Sequence, residues 1–393
     1  MNKAVVLGCN YYIGLSIIRC LGSEGVPVVA CDYNFKKAYA ARSKYVSERL
    51  NVPSLNKFDA QACADLIEYG KKQSEKPVLF PTHDKYVEFI DTYYDQLSEY
   101  FLVSQAENGL NSRVLDKWTL GKLAQEHDVR IPATISVNDE QFESKVLGIG
   151  FPCMIKPVDT VVFTKVFRQK IFLCNDMESL KSRIAACAEH NIDVFVQELV
   201  PGFDDHMLTY DFYINREGKT THYMTAHKFR QWPINFGASV FTEQKYDKRL
   251  VEIGKDFVEK IGYRGFGEIE FKEHENTKEI YLIEINARTT NFNNLIYKVG
   301  LNMPYVAYLD VTGQLNETKF LEHNTNYAFI YGLEDFFALL AYSKTKQLSF
   351  WKGFFQIFTK KLAPAIFSWS DLKPWCAFNA MLMGRAWRKI TRR

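Results

Sequence analysis

Two acidic strands joined by a short polar turn constrain this chain more than any other feature. Residues 267–271 read Gly-Glu-Ile-Glu-Phe, residues 281–288 read Tyr-Leu-Ile-Glu-Ile-Asn-Ala-Arg, and residues 272–278 between them have the character of a hairpin connection. Side chains alternate along a strand. Glu284, Asn286 and Arg288 therefore share one face, Ile283 and Ile285 take the other, and Glu270 on the neighbouring strand can face the same way as Glu284. Two carboxylates, an amide oxygen and a guanidinium then meet on one patch of sheet. Hard oxygen donors of this kind suit Mg²⁺, which usually binds a few carboxylates together with nucleotide phosphates. The guanidinium fork suits a phosphate or a carboxylate. Taken alone, these residues also fit ordinary polar strand ends at a sheet edge, so the rest of the chain has to decide.

At 393 residues there is room for two or three packed lobes. A hydrophobic fraction of 47% with 24% charged residues is that of an ordinary globular protein. A net charge of +3 does not point to nucleic acid as the main partner. The 8 cysteines are scattered singly with no C-x-x-C pair, which disfavours a zinc site or a disulfide framework and suits small core residues in a reducing cytoplasm. The apolar run after Lys3 breaks at Gly8, too soon for a signal peptide, and no stretch is long and apolar enough to span a membrane. The expectation is a cytoplasmic protein.

Along the chain, residues 4–8 read as a buried parallel strand, 12–21 as a helix and 26–31 as a second strand ending at Asp32, which makes a βαβ unit. Gly8 and Gly14 lack the G-x-G-x-x-G spacing, so an NAD-linked oxidoreductase is the disfavoured reading of this lobe. A further strand, 78–81, precedes Thr82-His83-Asp84. Asp116 is an expected N-cap for a helix starting at Lys117. Strands are expected at 150–157, 170–174 and 194–198, then long ones at 207–215 and 220–227, with a helix at 250–261 before the acidic hairpin. The C-terminal stretch from 331 onward interleaves aromatic residues such as Phe336, Trp351, Phe355 and Trp387 with Lys344, Lys352, Arg388, Lys389, Arg392 and Arg393. That mixture suits peripheral contact with the inner face of a membrane. It equally suits a helical tail packed on the body with snorkelling lysines.

Lys117 and Lys156 each sit at the end of an element, where an ammonium can reach a phosphate. Gln197-Glu198 follows a buried strand and is able to offer adenine its backbone groups and a carboxylate. The order Lys117, Ile155-Lys156-Pro157, Gln197-Glu198, Glu270, Glu284-x-Asn286-x-Arg288 resembles the ATP-grasp superfamily over roughly residues 1–315. The resemblance implies an α/β and α+β fold. A Rossmann-like lobe would occupy 1–104 and an ATP-grasp domain 105–330, with a lid lobe near 150–200 and a metal-site lobe near 201–330; residues 331–393 would form a helical tail. It further implies that Lys117 and Lys156 hold the nucleotide phosphates, that Glu198 lies in the adenine hinge, and that Asp204 or Asp205 takes the ribose. Glu270, Glu284 and Asn286 would bind Mg²⁺, two ions being expected, and Arg288 would meet the transferred phosphate or an acyl phosphate.

One departure stands out. The stretch 157–170 has no glycine where many ATP-grasp proteins carry a glycine-rich phosphate loop, and it offers Thr160, Thr164, Lys165, Arg168 and Lys170 instead. With the run 196–202 and His227-Lys228-Phe229-Arg230-Gln231-Trp232-Pro233, the sequence looks like a branch of carboxylate–amine ligases that includes D-aspartate ligase, enzymes of cell-wall or surface-polymer assembly. Lys228 and Arg230 are then expected to contact the γ-phosphate or an acidic substrate. The implied activity is ATP-dependent joining of a small carboxylic amino acid, D-aspartate being the first choice, to an amine-bearing acceptor. The alternatives are another amino acid joined to a sugar acid or peptide, and a non-catalytic nucleotide-binding protein that keeps the fold.

Overall fold

The structure is a computed structural model that describes residues 1–55, 58–107 and 109–391. Arg392, Arg393 and the side chain of Lys389, singled out above, lie outside what it describes.

The N-terminal lobe is a parallel sheet in the order Val46–Asn51, Val28–Asp32, Ala4–Leu7, Val78–Pro81. The last three strands are buried along their whole length because the sheet is covered on both sides, which is why they read as unbroken apolar runs. Ala4, Val6 and Phe80 face one core, and Val5, Leu7 and Leu79 face the other. Gly8 ends the first strand at φ +92°, and a Cβ there would meet Thr82 Oγ1 at 2.5 Å, so only glycine fits this turn. Asp32 is 1% exposed. Its carboxylate accepts from the backbone N–H of Cys9 and of Asn34, each at 2.7 Å. It is spent on the turn, whereas a dinucleotide site needs such an acid facing a ribose.

The smaller lobe is an antiparallel sheet ordered Thr134–Ser136, Val194–Glu198, Cys153–Pro157, Phe172–Cys174, backed by helices Phe142–Ile149 and Met177–Glu189. It starts at Thr134, earlier than the boundary near 150 expected from sequence. The reason is the short edge strand, which shows no period of its own and pairs with Val194–Glu198. The glycine-free stretch is a helix, Thr160–Phe167, capped by Asp159, which accepts from Val161 N at 2.8 Å and Val162 N at 3.1 Å. Phe163 pins it by packing on Phe172.

Among the described residues the large sheet runs Ile280–Asn286, Gly265–Glu273, Met207–Ile214, Thr220–Trp232, Ala238–Gln244, Tyr327–Ile330, Lys361–Pro364. Its apolar face, which includes Tyr210, Phe212, Ile269, Phe271 and Ile285, packs with Leu250, Phe257 and Val258 of the helix Lys248–Lys260. The C-terminal segment is more than a helical tail. Lys361–Pro364 pairs in parallel with Tyr327–Ile330 and extends the sheet. Helix Gly332–Lys344 lies over strand Thr220–Trp232, and helix Lys373–Thr391 docks on the N-terminal lobe, with Phe378 edge-on to Tyr39. Asp371, just before that helix, pairs with Arg19 at 3.0 Å and accepts from Ser43 Oγ at 2.7 Å.

Candidate active site

The strand registers set one polar face. Glu268 lies opposite Asn286 on one side and Asp211 on the other, while Glu270 lies opposite Glu284 and Thr209. Met207 faces Lys228 one strand further on. With period-two alternation, these residues project away from the apolar core and toward the junction of the three lobes. A cleft of about 1230 Å³ opens there, lined also by Lys156 and Lys170 from the small lobe and by Tyr11, Thr82 and Asp84 from the N-terminal lobe.

Charge is paired tightly inside this cleft. Lys228, 3% exposed, holds Glu270 at 2.6 Å and Glu268 at 3.0 Å. Asn286 Nδ2 donates to Glu270 at 3.2 Å and to Glu268 at 3.3 Å, which leaves its Oδ1 to accept from Arg288 Nη2 at 3.0 Å. Arg288 also bonds Asp84 at 2.6 Å, tying the N-terminal lobe to the sheet. Lys117 Nζ sits 2.9 Å from Glu284.

The protonation states follow from these contacts. Lys117 holds the Glu284 carboxyl well below the usual carboxylate range. Burial pushes Glu270 up, although Lys228 resists the shift. Burial works against the charge on Lys228, but Glu268 and Glu270 outweigh it and its affinity for a proton rises. Burial lowers Lys156 to about 8, and the nearby charge of Lys117 adds to this. Asp211 is pushed far up by burial and then by Glu268; its Oδ2 accepts from Thr209 at 2.9 Å, and its Oδ1 has no hydrogen-bond partner among the described residues.

The structure places most of the residues picked from sequence together. Lys117, Lys156, Gln197, Glu198 and Lys228 line the cleft, as do Glu270, Glu284, Asn286 and Arg288. Glu198 accepts from the backbone N–H of Ala133 at 3.0 Å, and Gln197 donates to Thr134 at 2.9 Å, so the segment is held to the lobe's edge strand.

Two expectations are corrected. Arg230 does not face the cleft. Register shifts on either side of it turn the strand, so Gln231 takes the cleft side after Lys228 and Arg230 points elsewhere. Arg230 is 0% exposed, pairs with Asp335 at 2.6 and 3.0 Å and with Gln356 at 2.7 Å, and stacks over Phe241. It fastens the C-terminal segment and is out of reach of a substrate. Asp205 is likewise absent from the lining, and its side chain is exposed to solvent. Asp204 is buried and satisfied by Tyr342 and by the backbone N–H of Asn235 at 2.7 Å. Neither aspartate is placed to take a ribose.

Sequence reasoning misses Glu268 and Asp211. Glu268 carries a usable signal, because it sits two residues before Glu270 and so shares its face. Asp211 carries none locally, since its place depends on strand pairing. Among the described residues no group of three or more His, Cys, Asp or Glu side chains is arranged to hold a metal. A cation here would rely on Glu270, Glu284 and the Asn286 amide oxygen, with phosphate oxygens completing the shell, the pattern usual for Mg²⁺.

No family model matches the chain. In fold it is similar to the biotin carboxylase domain of the Hydrogenobacter thermophilus 2-oxoglutarate carboxylase, solved with MgADP, ADP and bicarbonate, at TM-score 0.65 and 15% identity over 84% of this chain and 73% of that one. It is also similar to N5-carboxyaminoimidazole synthetase from Staphylococcus aureus, at TM-score 0.60 and 16% identity over 80% of each chain. The fold is therefore of the ATP-grasp type. In sequence the chain is similar to the D-aspartate ligase of Enterococcus faecium (strain Aus0004), 26% identical over 242 residues. That match spans 59% of this chain and 58% of the relative, little more than half of each.

Proposed function

We propose that the protein is an ATP-dependent carboxylate–amine ligase. The observation that carries this reading is the cleft face itself, where Glu270, Glu284, Asn286 and Arg288 lie beside Lys117 and Lys156. The donor set fits Mg²⁺, and Glu270, Glu284 and Asn286 would hold it, two ions being the number we favour. Mg²⁺, when bound, supplies charge neutralisation and orientation of the polyphosphate. Lys117 and Lys156 bind phosphate oxygens. Gln197 and Glu198 border the base. Lys228 keeps Glu268 and Glu270 in fixed orientations and offsets part of their charge at the buried end of the cleft.

A carboxylate is a poor acyl donor. Transfer of the γ-phosphoryl group to its oxygen releases ADP and gives an acyl phosphate. An amine then attacks the carbonyl carbon, phosphate departs with the bonding pair, and the amine proton passes to solvent. Arg288 is the group of this chain best placed to stabilise charge on the phosphoryl and tetrahedral oxygens. Its position is fixed from two sides, by Asp84 and by Asn286.

The acid we favour is a small dicarboxylic amino acid, D-aspartate in first place. The acceptor is a larger amine-bearing precursor of a wall or surface polymer, met in the cytoplasm. Likeness to the Enterococcus ligase supports this choice, as does Arg288, a cation beyond the two phosphate-binding lysines; Lys228 is already taken by Glu268 and Glu270. An Arg fork binds a second carboxylate with charge-assisted hydrogen bonds. The test is hydroxamate formation from single amino acids with ATP, Mg²⁺ and hydroxylamine. A signal with D-aspartate is expected. A signal with neutral amino acids alone overturns the substrate and keeps the ligase. Tight ATP binding with no ADP release for any amino acid overturns the ligase in favour of a non-catalytic nucleotide-binding protein, a reading favoured by the helix that stands in place of a glycine-rich loop.

A further inference from the structure

The C-terminal segment presents an aromatic plane that the fold leaves uncovered. Helices Gly332–Lys344 and Phe350–Ile357 pack side by side. Ala338, Leu339 and Tyr342 on the inner side are buried, while Phe336, Phe337, Trp351, Phe355 and Phe358 stay 44% to 72% exposed. These rings form one continuous surface. Phe337 touches Phe336, Phe336 touches Phe350, Phe350 touches Trp351 and Phe354, and Phe354 touches Phe355 and Phe358, with centroids 5.4 to 6.2 Å apart. A contiguous apolar patch on this scale marks an interaction site, whereas single exposed rings do not.

The charge around the plane selects the partner. From residue 336 onward the chain holds eleven Lys and Arg against one acid, Asp371, so residues 1–335 carry the opposite balance, 38 basic against 45 acidic. Asp371 is 3% exposed and bound by Arg19 and Ser43. The acids on the first of the two helices are Asp335, buried against Arg230, and Glu334, which stands near Tyr11 of the cleft lining. Lys344, Lys346 and Lys352 are exposed on the segment that carries the rings, and Trp369, Lys373 and Trp375 continue the pattern toward the last helix. Lys360 is held by Glu243 at 2.7 Å and is not part of this set. Among the described residues no helix is long and apolar enough to cross a membrane. Aromatic rings flanked by lysines, with so little acid among them, match the boundary between acyl chains and anionic headgroups.

We infer that this plane lies on an anionic lipid surface, with the rings entering the headgroup–acyl boundary and the lysines meeting lipid phosphates. Helix Gly332–Lys344 is tied to the strand that carries Lys228, through Arg230–Asp335 and through the Tyr342 hydroxyl, which accepts from Gln231 N at 3.0 Å. Docking therefore holds the cleft at a fixed height above the lipid. This inference does not depend on the ligase reading.

The test is co-sedimentation of the full chain with vesicles of phosphatidylcholine alone and with added phosphatidylglycerol. Binding to the anionic vesicles is expected, weakened at least tenfold by raising salt from about 0.05 to 0.5 M, because the lysine contribution is screened. The double variant W351S/F355S, at exposed positions, should lose binding while keeping its thermal unfolding midpoint. The charge variant K344E/K352E, which leaves every ring in place, should bind the anionic vesicles at least tenfold more weakly. Undiminished binding by both variants overturns the inference. So does the absence of vesicle binding by the wild-type chain, and in that case concentration-dependent dimerisation lost in W351S/F355S would assign the plane to a second copy of the chain.

Discussion

At the scale of single residues, the cleft pairs Asp84, Glu268, Glu270 and Glu284 each with a cation. Glu284→Gln keeps shape but removes the charge that Lys117 holds and that the proposed Mg²⁺ would share. We expect turnover to vanish with the unfolding midpoint near that of wild type, checked by ADP release and thermal melts; wild-type turnover would remove Glu284 from the metal set. Lys156 carries the pH dependence. Its ammonium is lowered to about 8 by burial, so the charged form dominates below that pH and is lost above it. ATP affinity should fall as pH rises through 8, and Lys156→Met should bind ATP weakly at every pH with this step gone. A calorimetric titration at several pH values checks both. Glu270, Glu284 and Asn286 are legible in the sequence because strand alternation alone sets their face. Arg230 is misread because the resemblance sets it beside Lys228 as a ligand contact, and the local bulge, which no sequence pattern marks, turns it out of the cleft.

At the scale of elements, legibility depends on which contacts are local. The parallel strands of the N-terminal lobe and the acidic hairpin can be read from their own residues, since each is an unbroken apolar run or a period-two pattern. Thr134–Ser136 cannot, because its strand character comes from its neighbour Val194–Glu198. The sequence marks 157–170 as a glycine-free stretch with Thr160, Thr164, Lys165, Arg168 and Lys170 without assigning it a helix; the Asp159 cap is the signal that could have found Thr160–Phe167. Asp159→Ala should weaken this helix by about 1 kcal/mol. If the helix covers bound nucleotide, KM for ATP will rise with kcat little changed in steady-state assays. The ion pair Arg230–Asp335 joins two elements in a fully buried place. Removing one member of such a pair costs about 3–5 kcal/mol, because the other is left charged and unsolvated. Asp335→Ala should lower the denaturant midpoint accordingly, and the simultaneous Arg230→Met change should recover much of the loss.

At the scale of the whole molecule, the N-terminal lobe is clamped to the large-sheet lobe and the C-terminal segment by contacts between distant parts of the chain. Arg288 bonds Asp84, and Arg19 bonds Asp371. Asp371→Asn should loosen the last helix, seen as faster amide hydrogen exchange over 373–391 with the cleft still able to bind ATP. These clamps also order events during synthesis. Arg19 is translated 352 residues before Asp371, and Arg230 precedes Asp335 by 105. The N-terminal sheet is complete once Val78–Pro81 has emerged, yet the face of its first helix that receives Ile366 and Asp371 has no cover until that segment leaves the ribosome. For all that interval the nascent chain carries an interior arginine without its acid and an open seam beside it.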